Sequence, residues 1–354
     1  MNMKVRHIET EKIISNSFHN AFTSLCFWRG TFYLAFREAE NHGITPPGRI
    51  RILASKRPLR AHTWSDVASI VHPQHDYRDP RLIATPDYLF MICGAYVPSP
   101  HLQYVHGLSA MSGENQIWSY FIYTRDGRTW SQPHPMLRPN AWAWSAAVAK
   151  GGMWRMASYD VGAMEACNTI TLWGGTPLRG FQHLGIMYDG GNLEKEWGTF
   201  RYTASMPSEP VLYQPTPETL ACCLRTGGTM LLGVVRHGLP WRWEETGLRL
   251  HPSCVIQTKH GWLLAARELV PVYRRGARGK ILEEIERYDT QVTLWHIEGN
   301  RFEKVLTLEG SGDCGYCGMC EGEKPGEILV SYYASDKAPV PCADIFMAQV
   351  RIEL

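Results

Sequence analysis

The sequence predicts an all-β protein, a six-bladed β-propeller with four-stranded antiparallel blades, on three observations. Short apolar and aromatic runs separated by Gly, Pro, Asn and Asp dominate the chain, the pattern of strands joined by turns. These runs group into six units of roughly 45–65 residues, a period that marks repeat architectures. One strand-like stretch also recurs at matched places. Thr31-Phe-Tyr-Leu-Ala-Phe-Arg37, Glu218-Thr-Leu-Ala-Cys-Cys-Leu-Arg225 and Gly261-Trp-Leu-Leu-Ala-Ala-Arg267 each follow an apolar run and a turn, and each ends in arginine. Three arginines delivered by three copies of one unit suggest a common site for a carboxylate.

Bulk composition narrows the function classes. At 354 residues with 44% hydrophobic content, the chain can bury a substantial core, and we expect one domain over 1–354. A formal net charge of +2 with no long basic run argues against nucleic acid as a partner. The 13 Trp and 16 Tyr suit pleated surfaces and sugar-binding clefts. No run of about 18 apolar residues is present, so no membrane span is expected. Met1-Asn-Met-Lys-Val-Arg-His7 lacks an apolar leader, and ten cysteines without one read as reduced thiols, so a cytoplasmic location is expected.

In chain order, unit one gives strands A to D at Ala21–Phe27, Thr31–Arg37, Arg49–Ser55 and after Trp64. Unit two gives Arg81–Ala84, Tyr88–Tyr96, Gln116–Thr124 and a strand after Trp130. Units three to six start near Trp142, Glu209, His251 and Cys314. In unit six strand C is Asp344–Ile352, and the N-terminal Val5–Ile14 supplies the outer strand, closing the ring and removing an open edge. One short helix is expected at Ile281–Tyr288. Strand A runs inward and B returns, so starts of A and ends of B share one face. That face collects Arg37, Arg225, Arg267, Asp79, Glu209 and Tyr316. Tyr96 and Tyr159-Asp160, which end B strands, should reach it too. The B–C loops Glu38–Gly48, Val97–Asn115 and Leu269–Asp289 sit there as well, the last a candidate lid.

Tyr123-Thr-Arg-Asp126-Gly-Arg-Thr-Trp130 joins strands C and D of unit two and resembles the Asp-box of sialidases and related propellers. With it, the chain resembles the sialidase (neuraminidase) superfamily over almost its whole length. On that resemblance Arg37 matches the family's first arginine, Asp79-Pro80 the Asp-Pro that opens blade two, Glu209 the glutamate before the second arginine, Arg225, and Tyr316 the tyrosine of the last blade. Arg267 is taken as the third arginine, with Arg249 its rival. Arg78 and Tyr96 join the substrate-binding set.

The resemblance implies an exo-acting glycoside hydrolase releasing a terminal sialic acid or related 2-keto-3-deoxy sugar acid, with a sialylated or other acidic glycan as its partner and no cofactor. Three guanidiniums suit the substrate's carboxylate. A tyrosine nucleophile avoids the repulsion that a carboxylate would meet there, and Glu209 is its base. The family's general-acid aspartate is absent from the loop Glu38-Ala-Glu40-Asn-His42-Gly-Ile-Thr-Pro-Pro-Gly48, which contains no Asp. His42 and Glu40 are the substitutes, His42 preferred because it transfers protons near neutral pH. That departure keeps two other readings open: a non-catalytic sugar-acid-binding propeller, and a polysaccharide lyase or uronic-acid glycosidase on the same fold.

Three further signals carry less. The Cys314, Cys317, Cys320 spacing lacks a fourth ligand, and no metal is expected. Adjacent Cys222 and Cys223 read as packing residues on opposite faces. His101, Tyr104, His106, Trp142 and Trp144 are equally loop or core residues and pocket lining.

Overall fold

Each apolar run pairs with the next across its turn. The computed structural model describes residues 3–97, 116–149, 152–160, 169–190, 207–236, 239–275 and 281–353. Among these, six four-stranded antiparallel sheets form the blades. In blade 1, strands A to D are His19–Trp28, Thr31–Ala39, Arg49–Ser55 and Ser65–Ile70, and in blade 2 they are Asp76–Ala84, Leu89–Val97, Gln116–Thr124 and His134–Met136. Strands A and B are Ala141–Val148 and Trp154–Asp160 in blade 3, Ser208–Thr216 and Thr219–Arg225 in blade 4, and Leu250–Thr258 and Gly261–Arg275 in blade 5. Blade 6 has Cys314–Glu321, Glu327–Ala334 and Asp344–Glu353, with Lys4–Ile14 as its fourth strand. Every strand A touches strand A of both neighbouring blades, so these strands line the centre of a closed ring. The closing pairing runs from Lys4 opposite Glu353 to Ile14 opposite Ile345.

Buried side chains form six clusters that fill the gaps between neighbouring blades. Successive residues of a strand point to opposite faces, so one strand B feeds two clusters. Phe32, Leu34 and Phe36 pack toward blade 6 with Tyr333 and Ile345, while Tyr33 and Ala35 pack toward blade 2 with Tyr77 and Met91. Cys222 and Cys223 part in the same way. Burial on both faces is why these strands read as unbroken apolar runs instead of alternating ones.

Two expectations need correction. The stretch expected as a helix at Ile281–Tyr288 is the start of a strand, Ile281–Glu298, paired with Gly261–Arg275. Its partner strand satisfies the backbone donors and acceptors, which outweighs modest helix propensity. What was expected as a loop and lid at Leu269–Asp289 is therefore a two-stranded ribbon extending blade 5, apart from 276–280, which lie outside the described residues. His101, Tyr104 and His106 also lie outside them. The inner strands of blades 1 and 2 begin earlier than expected, at His19 and Asp76, because polar residues there are buried and bonded.

Close approach between blades constrains Gly94, where an added Cβ would lie 2.2 Å from the ring of Trp142, itself buried. Gly94→Ala should lower unfolding free energy by about 1–3 kcal/mol, as overpacking does. Urea titration measures it, and an unchanged midpoint would mean that Trp142 moves aside freely.

Candidate active site

The site is built by bulges in the inner strands. In blades 1, 2, 4 and 6, pairing of A with B skips Phe22-Thr23, Asp79-Pro80, Glu209-Pro210 and Tyr316-Cys317. The first residue of each pair has a left-handed backbone, with φ of 59°, 53°, 54° and 44°. A bulge re-aims a side chain and leaves ladder groups unpaired. Serine hydroxyls take up such groups: Leu82 N donates to Ser24 Oγ at 2.9 Å, Leu212 N to Ser145 Oγ at 2.9 Å, and Ser145 Oγ to the Pro210 carbonyl at 2.6 Å. The strand B residue paired just before the bulge is Arg37 in blade 1, Arg225 in blade 4 and Tyr333 in blade 6; in blade 5 Arg267 pairs with His251, three residues before Cys254, as Arg37 pairs with Ala21 three residues before Ser24. The arginine repeat in the sequence is thus a repeat of register.

Tyr316, Glu209 and Arg225 form a triangle. The Tyr316 hydroxyl donates to Glu209 Oε1 at 2.7 Å, and Arg225 Nη1 donates to the same Oε1 and to the Tyr316 oxygen, at 3.1 Å for the latter. Burial, reinforced by the Glu209 charge, raises the Tyr316 phenol well above its ordinary range, while Arg225 and Arg267 pull the other way. The resting phenol is therefore protonated, its hydrogen directed at Glu209 Oε1. The Arg267 guanidinium lies 5.1 Å from the Tyr316 ring centre, donates to the Cys314 carbonyl, and reaches the Tyr333 hydroxyl at 2.9 Å. Its rival Arg249 lies instead over Tyr288, 5.0 Å from that ring. Behind the arginines, burial and their charges push His251 down to about 2, so it is neutral.

Arg37 lies two residues before the end of its strand, and its surroundings differ from a carboxylate site. The guanidinium is fully buried and grips Asp76, with Nε to Oδ1 at 2.7 Å and Nη2 to Oδ2 at 2.9 Å. It also donates to the carbonyls of Asn41 and Gly43, at 2.9 and 2.8 Å, and Arg78 donates to the carbonyl between them, that of His42. Two arginines, not three, therefore border Tyr316, and the other two hold the loop that carries His42. Gly48 is required over this pair, since a Cβ there would fall 1.7 Å from Asp76 Oδ1.

His42 Nδ1 hydrogen-bonds Asp313 Oδ2, and its ring sits 5.4 Å from Phe22, which in turn lies 5.0 Å from Tyr316. Glu40 is exposed. Tyr96 packs against Trp142, ring centres 5.0 Å apart, with the Arg78 guanidinium 5.9 Å from the Tyr96 ring. Asp79 is buried, and desolvation raises its carboxyl to about 6 against the opposing charges of Arg78 and Arg81. Sequence reasoning missed Asp76, Asp313, His19 and Phe22. Aligning the units on their bulges would have found three of them. His19, Asp76 and Asp313 each stand three residues before the bulge residue, in a common column.

No protein-family model and no curated protein matches this chain. In fold it is a sialidase-type six-bladed propeller. It is similar to Trypanosoma rangeli sialidase in complex with sialic acid, at TM-score 0.62 and 10% identity over 98% of this chain and 58% of that one. It is similar also to phage phi92 endosialidase, at TM-score 0.61 and 11% identity over 98% and 69% of the two chains. The chain thus spans little more than half the length of the trypanosomal enzyme.

Two measurements check this electrostatic description. Arg37→Met should cost about 3–5 kcal/mol in chemical denaturation because it strands a buried Asp76; a loss under about 1 kcal/mol would mean that the loop re-forms without the pair. The Asp79 carboxyl carbon should titrate near pH 6 by NMR. Its folded pKa is raised, so the stability that its neutral form contributes is complete below about 4 and is lost as pH rises through about 6. A midpoint at or below 4 would show that Arg78 and Arg81 outweigh its burial.

Proposed function

We propose that this protein is an exo-acting glycoside hydrolase that releases a terminal sialic acid or a related 2-keto-3-deoxy sugar acid, with Tyr316 as nucleophile. The observation that carries this reading is the hydrogen-bonded triangle of Tyr316, Glu209 and Arg225 on bulged inner strands. A phenol bonded to a buried carboxylate beside two arginines suits attack on an anomeric carbon that bears a carboxylate. The fold likeness lends support, since Trypanosoma rangeli sialidase forms a covalent intermediate with 2,3-difluorosialic acid.

In this mechanism Arg225 and Arg267 hold the substrate carboxylate. Glu209 takes the Tyr316 proton as the phenolic oxygen bonds to the anomeric carbon. The bond to the leaving oxygen breaks as His42, entering this step as the imidazolium, gives that oxygen the proton on Nε2. Water then displaces the tyrosine, handing a proton back to His42, while the phenolic oxygen recovers its own from Glu209. Phe22 occupies the ground between His42 and Tyr316, so the two groups approach the sugar from different sides of an aromatic wall. The commitment of Arg37 to Asp76 favours a second reading, a propeller that binds sugar acids without cleaving them.

The test is incubation with 2,3-difluorosialic acid, then digestion and mass spectrometry, alongside kinetics on aryl ketosides of several nonulosonic acids. A sugar adduct on Tyr316 is expected, with a loss of kcat of about a thousandfold in Tyr316→Phe, or about 4 kcal/mol of transition-state stabilisation. Full turnover by Tyr316→Phe would reject the nucleophile. Binding of the sugar acids without any turnover would favour the second reading.

A further inference from the structure

We propose that Asp313 is a positioning residue that fixes the ring orientation and tautomer of His42, so that His42 presents Nε2 to the leaving oxygen. This rests on the glycosidase reading above and assigns a role to a residue outside the sequence-derived set.

The placement of His42 is built from both ends. On the backbone side, three consecutive carbonyls, those of Asn41, His42 and Gly43, each accept from a guanidinium of Arg37 or Arg78. The Asn41 side chain closes the turn by accepting from Gly43 N at 2.8 Å and Thr45 Oγ1 at 2.9 Å. On the ring side, Nδ1 meets Asp313 Oδ2. An ionised carboxylate only accepts, so Nδ1 keeps its hydrogen in both protonation states and Nε2 is the nitrogen that gains and gives the transferred proton. The side chain is 52% exposed, so that nitrogen has room for a substrate.

Asp313 is held as firmly as the ring it holds. Oδ2 also accepts from His19 Nε2 at 2.8 Å, Oδ1 accepts from the Tyr333 hydroxyl at 2.7 Å with Arg267 Nη2 3.5 Å away, and the backbone N donates to Ser335 Oγ at 2.8 Å. Burial alone would raise this carboxyl, but the hydrogen bonds from His19 and His42 and the positive charge nearby outweigh it, so Asp313 stays ionised. The groups facing His42 are Asp313, His19, Arg78 and the Phe22 ring. Through Arg267 the same carboxylate touches the arginine that borders Tyr316, so one side chain ties the proton-transfer residue to the acid-binding corner.

His19, His42 and Asp313 are the group of ligand-type atoms among the described residues close enough to hold a metal, all within 4.8 Å of one another. One detail favours hydrogen bonding instead. His19 is buried, and its Nδ1 has no partner among the described residues. With the hydrogen on Nε2, that orphan is a lone pair. A metal on Nε2 would force the hydrogen onto Nδ1, an orphaned buried donor where metal-bound histidines ordinarily have an acceptor.

The experiment combines NMR with leaving-group kinetics on the full chain. In the wild type, 15N shifts of His42 should report an Nδ1–H tautomer, and Asp313→Asn should give a mixture. Asp313→Asn should lower kcat about thirtyfold or more for an alkyl ketoside but less than threefold for an activated aryl ketoside, and should shift the pH–rate limb of His42 downward. Asp313→Glu should recover part of the loss. An Nε2–H tautomer in the wild type, equal losses on both substrates with an unmoved limb, or stoichiometric Zn2+ retained in dialysis by the wild type and lost in Asp313→Asn would each overturn the proposal. No turnover of any ketoside by the wild type would reject the glycosidase reading instead, and the tautomer measurement would still judge the role of Asp313.

Discussion

The constraint on which the rest depends is the left-handed bulge in the inner strand. A regular strand would send alternate side chains into the two inter-blade gaps and none squarely across the mouth of the ring. Four residues with positive φ break that alternation, at a cost on the order of 1–3 kcal/mol each. Three of them, Asp79, Glu209 and Tyr316, bear groups able to move protons or attack carbon. The fourth, Phe22, packs against Tyr316, Tyr333 and His42 and fixes their spacing. The strain is tolerable because neighbouring blades over-determine it. Hydroxyls of Ser24 and Ser145 reach across to backbone groups of the next bulged strand, and Thr23 Oγ1 donates to the carbonyl of Tyr316 itself at 2.9 Å.

Charge on this face is divided into two systems with different duties. Arg37, Asp76 and Arg78 form an inward-looking set that sacrifices exposure to pin backbone carbonyls. Arg225, Arg267, Glu209 and Tyr316 form the set left available for a ligand. Identical register positions in strand B supply both Arg37 and Arg225, so the sequence neighbourhood of the arginine cannot distinguish the two. The partner three residues before the bulge decides: Asp76 reaches Arg37 from the next blade, and Asp313 lies near Arg267 while also serving His42 and Tyr333.

Legibility in the sequence follows the same division. Six units, the B strands and the closing strand are legible as apolar runs bounded by turn residues, and the Tyr316–Glu209 pairing through the resemblance to sialidases. Polar starts such as His19-Asn20 and Asp76-Tyr-Arg were not read as strand, since a buried ionic group looks like loop until its partner is known. The run from Ile281 alternates poorly and was read as helix, although a long partner strand makes it the ribbon of blade 5. Asp313 is hidden for a different reason: its importance lies in four partners drawn from distant segments, and in the sequence only its column three residues before the bulge marks it.

Closure by Lys4–Ile14 has a consequence for how the molecule comes into being. The other blades are meanders whose strands pair with sequence neighbours, so each can assemble while the chain is still emerging from the ribosome. Blade 6 cannot, because its outermost strand is made before the five other blades and its neighbour Asp344–Glu353 after them. The ring must therefore stay an open arc until Asp344–Glu353 has been made, with a loop of more than three hundred residues closed in one step. Tyr316 belongs to that same blade, so the bulge that carries it takes its final place only when the latch engages.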